Sequence, residues 1–170
     1  MKKTLLSFFI GFSSIGFLFA QIDTTTFNKL GDKAPIFSCK RIDNKTVDIA
    51  KLQGKIVLIN FFATWCSPCN QELPVLQKNI WDKYKNNPNF ELIILGREHS
   101  EKEVSDFVKS KKFTMPFAPD PKRNIFKLYA TQSIPRNIII GKDGRIIFQS
   151  IGYSEKEFKK MEAFLADKLK

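Results

Sequence analysis

The sequence predicts an α/β domain: one mixed central sheet with helices on both faces. Three observations carry that expectation. IVLINFF (Ile56 to Phe62) is a continuous apolar run of branched and aromatic residues, and ELIIL (Glu91 to Leu95) is a second. Such runs mark strands buried on both faces. Helical patterns alternate with them, which implies a parallel core. Two further short strands flank Gly141-Lys142-Asp143-Gly144. Asp-Gly supplies a hairpin turn there, so antiparallel strands extend the sheet at one side.

The elements follow in chain order. Met1 to Ala20 has Lys2 and Lys3, an apolar stretch from Leu5 to Phe19, and the small Ala20 before polar Gln21. That is the layout of a secretory signal. The apolar stretch is long and Leu18 is a poor small residue, so a retained N-terminal anchor is the alternative; either exports the domain. No cysteine near the cut offers a lipid-attachment site. Residues 21–33 are polar and poorly periodic, and read as a spacer before a domain over residues 34–170. Pro35 to Ile42 and Thr46 to Ile49 read as short strands, and Leu52 to Lys55 as a turn. After Phe62 a helix runs from the cysteines to about Tyr84, with Leu73, Leu76, Ile80 and Trp81 on one side. Ser100 and Glu103 form a capping box that opens a helix to about Lys111. Ile125 to Tyr129 is a short helical piece. Asn137 to Ile140 and Arg145 to Ser150 are the hairpin strands. A second capping box, Ser154 and Glu157, starts a final helix with Phe158, Met161, Leu165 and Leu169 on its apolar face.

Bulk composition bounds the function. A chain of 170 residues with 43% hydrophobic content and 17 phenylalanines has room for one domain with a proper core, and is not a disordered chain. The net charge is +11. Without Met1 to Ala20 it is about +9, from 28 − 2 basic and 17 acidic residues. The lysines are scattered, with short clusters such as KSKK (Lys109 to Lys112) inside amphipathic stretches. They read as a solvated surface rather than a nucleic-acid interface.

Chemistry concentrates in FFATWCSPCNQELP, Phe61 to Pro74, which holds two of the three cysteines. A structural zinc needs four ligands, and beyond Cys66 and Cys69 only Cys39 and the single histidine, His99, could complete a set. Neither belongs to a second paired motif, so no metal is expected. Haem attachment needs histidine after the second cysteine, and Asn70 is there. A purely structural disulfide would close too small a ring to add much loop-entropy stabilisation. Redox cycling remains, with no cofactor. Cys66 falls where a buried strand meets the first turn of a helix, where unpaired N–H groups and the helix dipole favour a thiolate. Cys69, one turn further in, is placed to resolve a mixed disulfide. Pro68 lacks an N–H where none is needed. Cys39, in FSCKR, reads as a small buried hydrophobe. An odd cysteine count leaves one thiol unpaired.

These residues carry a family resemblance. FFATWCSPC with Pro74 five residues beyond resembles the thioredoxin superfamily. Ala34 to Pro74 is similar, more narrowly, to the TlpA/ResA-like exported thiol–disulfide oxidoreductases. The resemblance implies a thioredoxin-like fold and assigns further roles. Trp65 matches the tryptophan beside the site, and Ile134-Pro135 matches the superfamily's cis-proline, whose preceding residue can pair with a substrate strand. Asn60 stands where thioredoxins carry a buried aspartate and cannot titrate. Glu72, three residues after Cys69, matches the glutamate of the TlpA/ResA-like group and could take the Cys69 proton. Catalytic roles thus fall to Cys66, Cys69 and Glu72, and substrate contacts to Trp65, Ile134 and Pro135.

Ser67-Pro68 between the cysteines offers no histidine or positive charge, and Ile134 is the thioredoxin choice before the proline. Both features favour a reductant of client-protein disulfides, recharged by a membrane or exported electron donor. The expected location is the periplasm, with membrane attachment only if the N-terminal segment is retained, and the expected state is a monomer. Cytochrome c maturation is the process this family often serves. A thiol peroxidase of the redoxin group is one alternative, but its threonine should stand three residues before the cysteine and Thr64 stands two before Cys66. A disulfide oxidant or isomerase is the other.

Overall fold

A computed structural model describes residues 24–170, so the expected signal segment lies outside the described residues. A five-stranded sheet in the order β5-β4-β3-β6-β7 forms the centre. Its middle strand is β3 (Ile56–Phe62), which pairs in parallel with β4 (Phe90–Arg97) and antiparallel with β6 (Arg136–Ile140). β5 (Phe117–Asp120) extends the parallel side and β7 (Ile146–Ile151) the antiparallel side. A separate two-stranded ribbon joins β1 (Ser38–Lys40) and β2 (Thr46–Asp48). All seven residues of β3 are buried, as its unbroken apolar run requires.

Alternation along β3 sorts the core into two layers. Ile56, Leu58 and Phe62 face one layer with α1 (Ser67–Leu76), α3 (Glu101–Lys111) and α4 (Glu155–Lys168). Val57, Ile59 and Phe61 face the other, formed with Phe37, Cys39 and Val47 of the ribbon region. Two 3-10 helices, Ile49–Leu52 and Phe126–Leu128, also cover that second face. Helical elements thus lie on both faces, the long ones on one. Phe62 packs its ring 5.3 Å from both Phe107 and Phe117. Burying one such side chain is worth roughly 1.5–3 kcal/mol.

After the two cysteines the chain is helical to Tyr84, as expected, but not uniformly. Pro74 sits inside α1, a π-helical stretch follows at Gln77–Trp81, and α2 (Asp82–Tyr84) ends the run. The Ser100/Glu103 box forms in both directions. The Ser154/Glu157 box forms by half: Ser154 Oγ accepts the Glu157 N–H, while the Glu157 carboxylate turns to Lys160 at 2.7 Å. β5 is not expected from the sequence; it is four residues long and contains Pro119, which an edge strand tolerates.

The described part of the expected spacer is tied to the domain. Phe27 N–H donates to Tyr129 O, Gly31 N–H to Ile146 O, and Arg136 Nη2 to Thr25 Oγ1 at 3.1 Å. Among the described residues no helix is long and apolar enough to cross a membrane.

Candidate active site

Strand β3 ends at Phe62, and Ala63 to Trp65 carry the chain to the start of α1. Cys66 is the N-cap of that helix in an extended conformation, and its Sγ accepts the Cys69 N–H at 3.3 Å. Pro68 occupies the first turn, where an N–H would have no intrahelical partner. Cys66 and Cys69 are joined as a disulfide. Cys69 is fully buried and Cys66 nearly so, while the adjacent Trp65 is 64% exposed. Opposite them the Ile134-Pro135 peptide is cis, and the Ile134 carbonyl oxygen lies 3.8 Å from Cys66 Sγ. A disulfide sulfur has no proton to donate, so this is a close approach and not a hydrogen bond. The Gly152 N–H holds the Pro135 carbonyl at 2.8 Å. The cis Ile134-Pro135 peptide therefore edges Cys66, and Trp65, next to Cys66 in the chain, lies exposed with Arg97 over its ring at 5.7 Å.

Glu72 follows Cys69 by three residues on α1, and that spacing puts both on one helix face. That face points into the core, and Glu72 is 2% exposed. Two amides hold its carboxylate: Asn60 Nδ2 donates to Oε2 at 2.9 Å and Asn137 Nδ2 to Oε1 at 2.6 Å. Asn60 also donates to Asn137 Oδ1 at 2.8 Å, and Asn137 to Ser150 Oγ at 3.4 Å. The sheet builds this row directly, because Asn60 pairs with Asn137 across β3 and β6, and Asn137 with Ser150 across β6 and β7. Asn60 lies in register with Leu58 and Phe62, so it points to the α1 side. Burial pushes the Glu72 pKa up to about 7, against the opposing pull of the Asn137 and Asn60 hydrogen bonds. A carboxyl group poised near neutrality can both take and return a proton.

The loop before Cys66 is fixed from two sides. Asn70 Nδ2 donates to the carbonyls of Thr64 at 2.9 Å and Cys66 at 3.0 Å. His99 Nε2 accepts the Thr64 N–H at 2.9 Å. Cys39, the free cysteine, packs in the layer on the opposite face of the sheet, where burial raises its thiol pKa to about 11. It does not approach Cys66, Cys69 or His99 as a fourth ligand would have to.

Residues 29–165 match the Redoxin family. The chain belongs to the redoxin family. Among curated relatives, the ResA thiol–disulfide oxidoreductase of a Bacillus cereus strain is 33% identical over 137 residues, covering 81% of this chain and 77% of that protein. Among solved structures, a candidate protein disulfide isomerase from Bacteroides thetaiotaomicron is 35% identical with a TM-score of 0.82, covering 85% of this chain and 92% of its own. A candidate thiol:disulfide interchange protein DsbE from Chlorobium tepidum is 25% identical with a TM-score of 0.75, covering 84% and 99%. The fold is the thioredoxin-like one, and the chain is a thiol–disulfide oxidoreductase by family and by its cysteine pair.

Of the residues that sequence reasoning singled out in this redoxin, Cys66, Cys69 and Ile134 lie together, and Pro135 follows Ile134 through the cis peptide. Glu72 sits one turn along α1 over Asn60 and Asn137, and Trp65 is exposed beside Arg97. Missed were the partners of Glu72 and of the loop. Asn60 interrupts the apolar strand run IVLINFF, and Asn137 stands directly before the apolar run Ile138 to Ile140. A polar amide inside such a run has to find a buried partner, and that was the available signal.

Proposed function

We propose that this redoxin reduces disulfides of client proteins, with Cys66 as attacking thiolate, Cys69 as resolving thiol and Glu72 as the proton acceptor for Cys69. The observation that carries the reading is the Cys66–Cys69 pair at the N-terminus of α1, edged by the Ile134 carbonyl and backed by a buried carboxylate. In the reduced protein a Cys66 thiolate takes the Cys69 N–H that its sulfur already accepts, and the helix terminus favours the negative charge. That thiolate attacks one client sulfur, forms a mixed disulfide and releases the first client thiolate. Glu72 takes the Cys69 proton, and the Cys69 thiolate attacks Cys66 Sγ. The second client thiolate leaves, two electrons have passed to the client, and the Cys66–Cys69 disulfide remains. Trp65 and Ile134 offer the client an apolar platform and a backbone carbonyl at this edge.

Direction rests on what surrounds Cys66. Strong oxidants stabilise their reduced form heavily, and here the Ser67-Pro68 pair adds no positive charge to the helix terminus. An exported protein would need an external donor to be reduced again, and the charged, apolar, small-residue order of Met1 to Ala20 supports export to the periplasm. The test uses protein without Met1 to Ala20, pre-reduced and mixed with a disulfide-containing client under exclusion of oxygen. Stoichiometric client reduction that disappears in Cys66→Ser supports the reading. Peroxide consumption without client reduction would replace it with a peroxidase.

A further inference from the structure

The single histidine neither attacks nor carries a proton in that exchange, yet it is buried beside the exchange site. His99 is 5% exposed and lies just beyond β4, in a turn where Glu98 adopts a left-handed φ of 64°. Its ring packs 6.2 Å from Phe62, the last residue of β3. From there Nε2 accepts the Thr64 N–H at 2.9 Å, two residues before Cys66. On the far side of Thr64, its carbonyl accepts from Asn70 Nδ2, which also holds the Cys66 carbonyl. Thr64 is therefore gripped at both its N–H and its C=O. The N–H of Cys66 in turn bonds the Ala63 carbonyl at 3.1 Å, closing the turn.

We propose that His99 is a positioning residue for disulfide exchange: as a neutral imidazole it fixes the Thr64 peptide, and through it the placement of Trp65 and Cys66. This rests on the exchange reading above. An acceptor at Nε2 requires the ring proton at Nδ1. Nδ1 makes no hydrogen bond: the Glu103 carboxylate of α3 lies 3.9 Å away, beyond hydrogen-bond reach, and is itself engaged by the Ser100 N–H at 2.7 Å. The charged groups around the imidazole are Glu103 of α3, with Arg97 and Glu98 at the end of β4. Burial depresses its pKa, which keeps the acceptor form at neutral pH. Protonation would set two N–H groups against each other and release Thr64. The Thr64 N–H is part-buried, and a donor there left without an acceptor is destabilising, so the loop without His99 would move to hydrate it, taking Trp65 and Cys66 with it.

Two variants and one spectroscopic measurement test this. Leucine at 99 keeps the apolar volume and removes the acceptor, whereas glutamine can offer Oε1 to Thr64. His99→Leu should slow client-disulfide reduction on the order of tenfold and speed Thr64 amide hydrogen exchange by a similar factor. His99→Gln should restore most of both. Because the protein has one histidine, its 15N-detected tautomer is read without ambiguity in wild type, and a protonated Nδ1 is expected. Equal rates in wild type and the Leu variant, equal loss in the Leu and Gln variants, or a proton on Nε2 would each overturn the proposal. Should the Leu variant not fold, the Gln variant and the tautomer still decide. If wild type reduces no client, the exchange reading fails, while the tautomer and the Thr64 exchange rate still report on the hold exerted by His99.

Discussion

Replacing Glu72 by glutamine has an effect on stability whose size and sign the buried carboxyl sets. Burial raises this group from the ordinary 4.5 to about 7 in the folded protein, a difference of about 2.5, and at 1.36 kcal/mol per unit this amounts to about 3 kcal/mol. The sign follows from linkage. Below pH 4.5 the group is protonated in both states and the fold carries no penalty. Between about 4.5 and 7 the unfolded chain ionises while the folded one holds its proton, so stability falls. Above 7 both are ionised and the full penalty of about 3 kcal/mol stands. Glutamine never ionises and lacks this slope. Its side-chain N–H meets the donors Asn60 Nδ2 and Asn137 Nδ2, and this cost is the same at every pH. Urea unfolding of the oxidised protein at pH 5 and at pH 8 separates the two contributions. Between those pH values wild type should lose about 2.5 kcal/mol relative to Glu72→Gln. Every other titrating group is common to both proteins and cancels. A stability difference that does not change between pH 5 and pH 8 would show that Glu72 carries no raised pKa in the fold.

Two further predictions concern neighbouring groups. Asn137→Ala removes a hydrogen bond that pulls the Glu72 pKa down, so the pH at which mixed-disulfide resolution accelerates should move upward, as measured by stopped-flow release of client thiol between pH 5 and pH 9. An unmoved midpoint would mean that Asn137 does not tune Glu72. Cys39, buried with its thiol raised to about 11, should resist a thiol reagent at pH 8 in the oxidised native protein and react fully once the chain is unfolded. Rapid native labelling would place it at the surface instead.

How far the sequence could be read depends on whether the deciding signal was local. β3, the β6–β7 hairpin and the Ser100/Glu103 cap all rest on residues within a few positions of one another, and each formed where expected. The cysteine pair and Glu72 share one helix face by spacing alone. β5 escaped because FAPD is too short for alternation to register, and its pairing with β4 is what makes it a strand. Asn60 was read only as a residue unable to titrate. Its real work depends on facing Asn137, 77 residues later, and that register comes from the closed sheet. His99 likewise stood out only as a rejected metal ligand, since nothing near it in sequence points to the Thr64 N–H 35 residues earlier.

Whether Cys66 and Cys69 send electrons outward to clients is read from the reduction potential of that pair. Equilibration of the protein lacking Met1 to Ala20 against defined ratios of reduced and oxidised dithiothreitol, followed by thiol trapping, gives the value. A potential near about −270 mV, in the range of reducing dithiols, is expected. A value near about −120 mV, where strong oxidants lie, would reverse the direction of the exchange and contradict the proposed function.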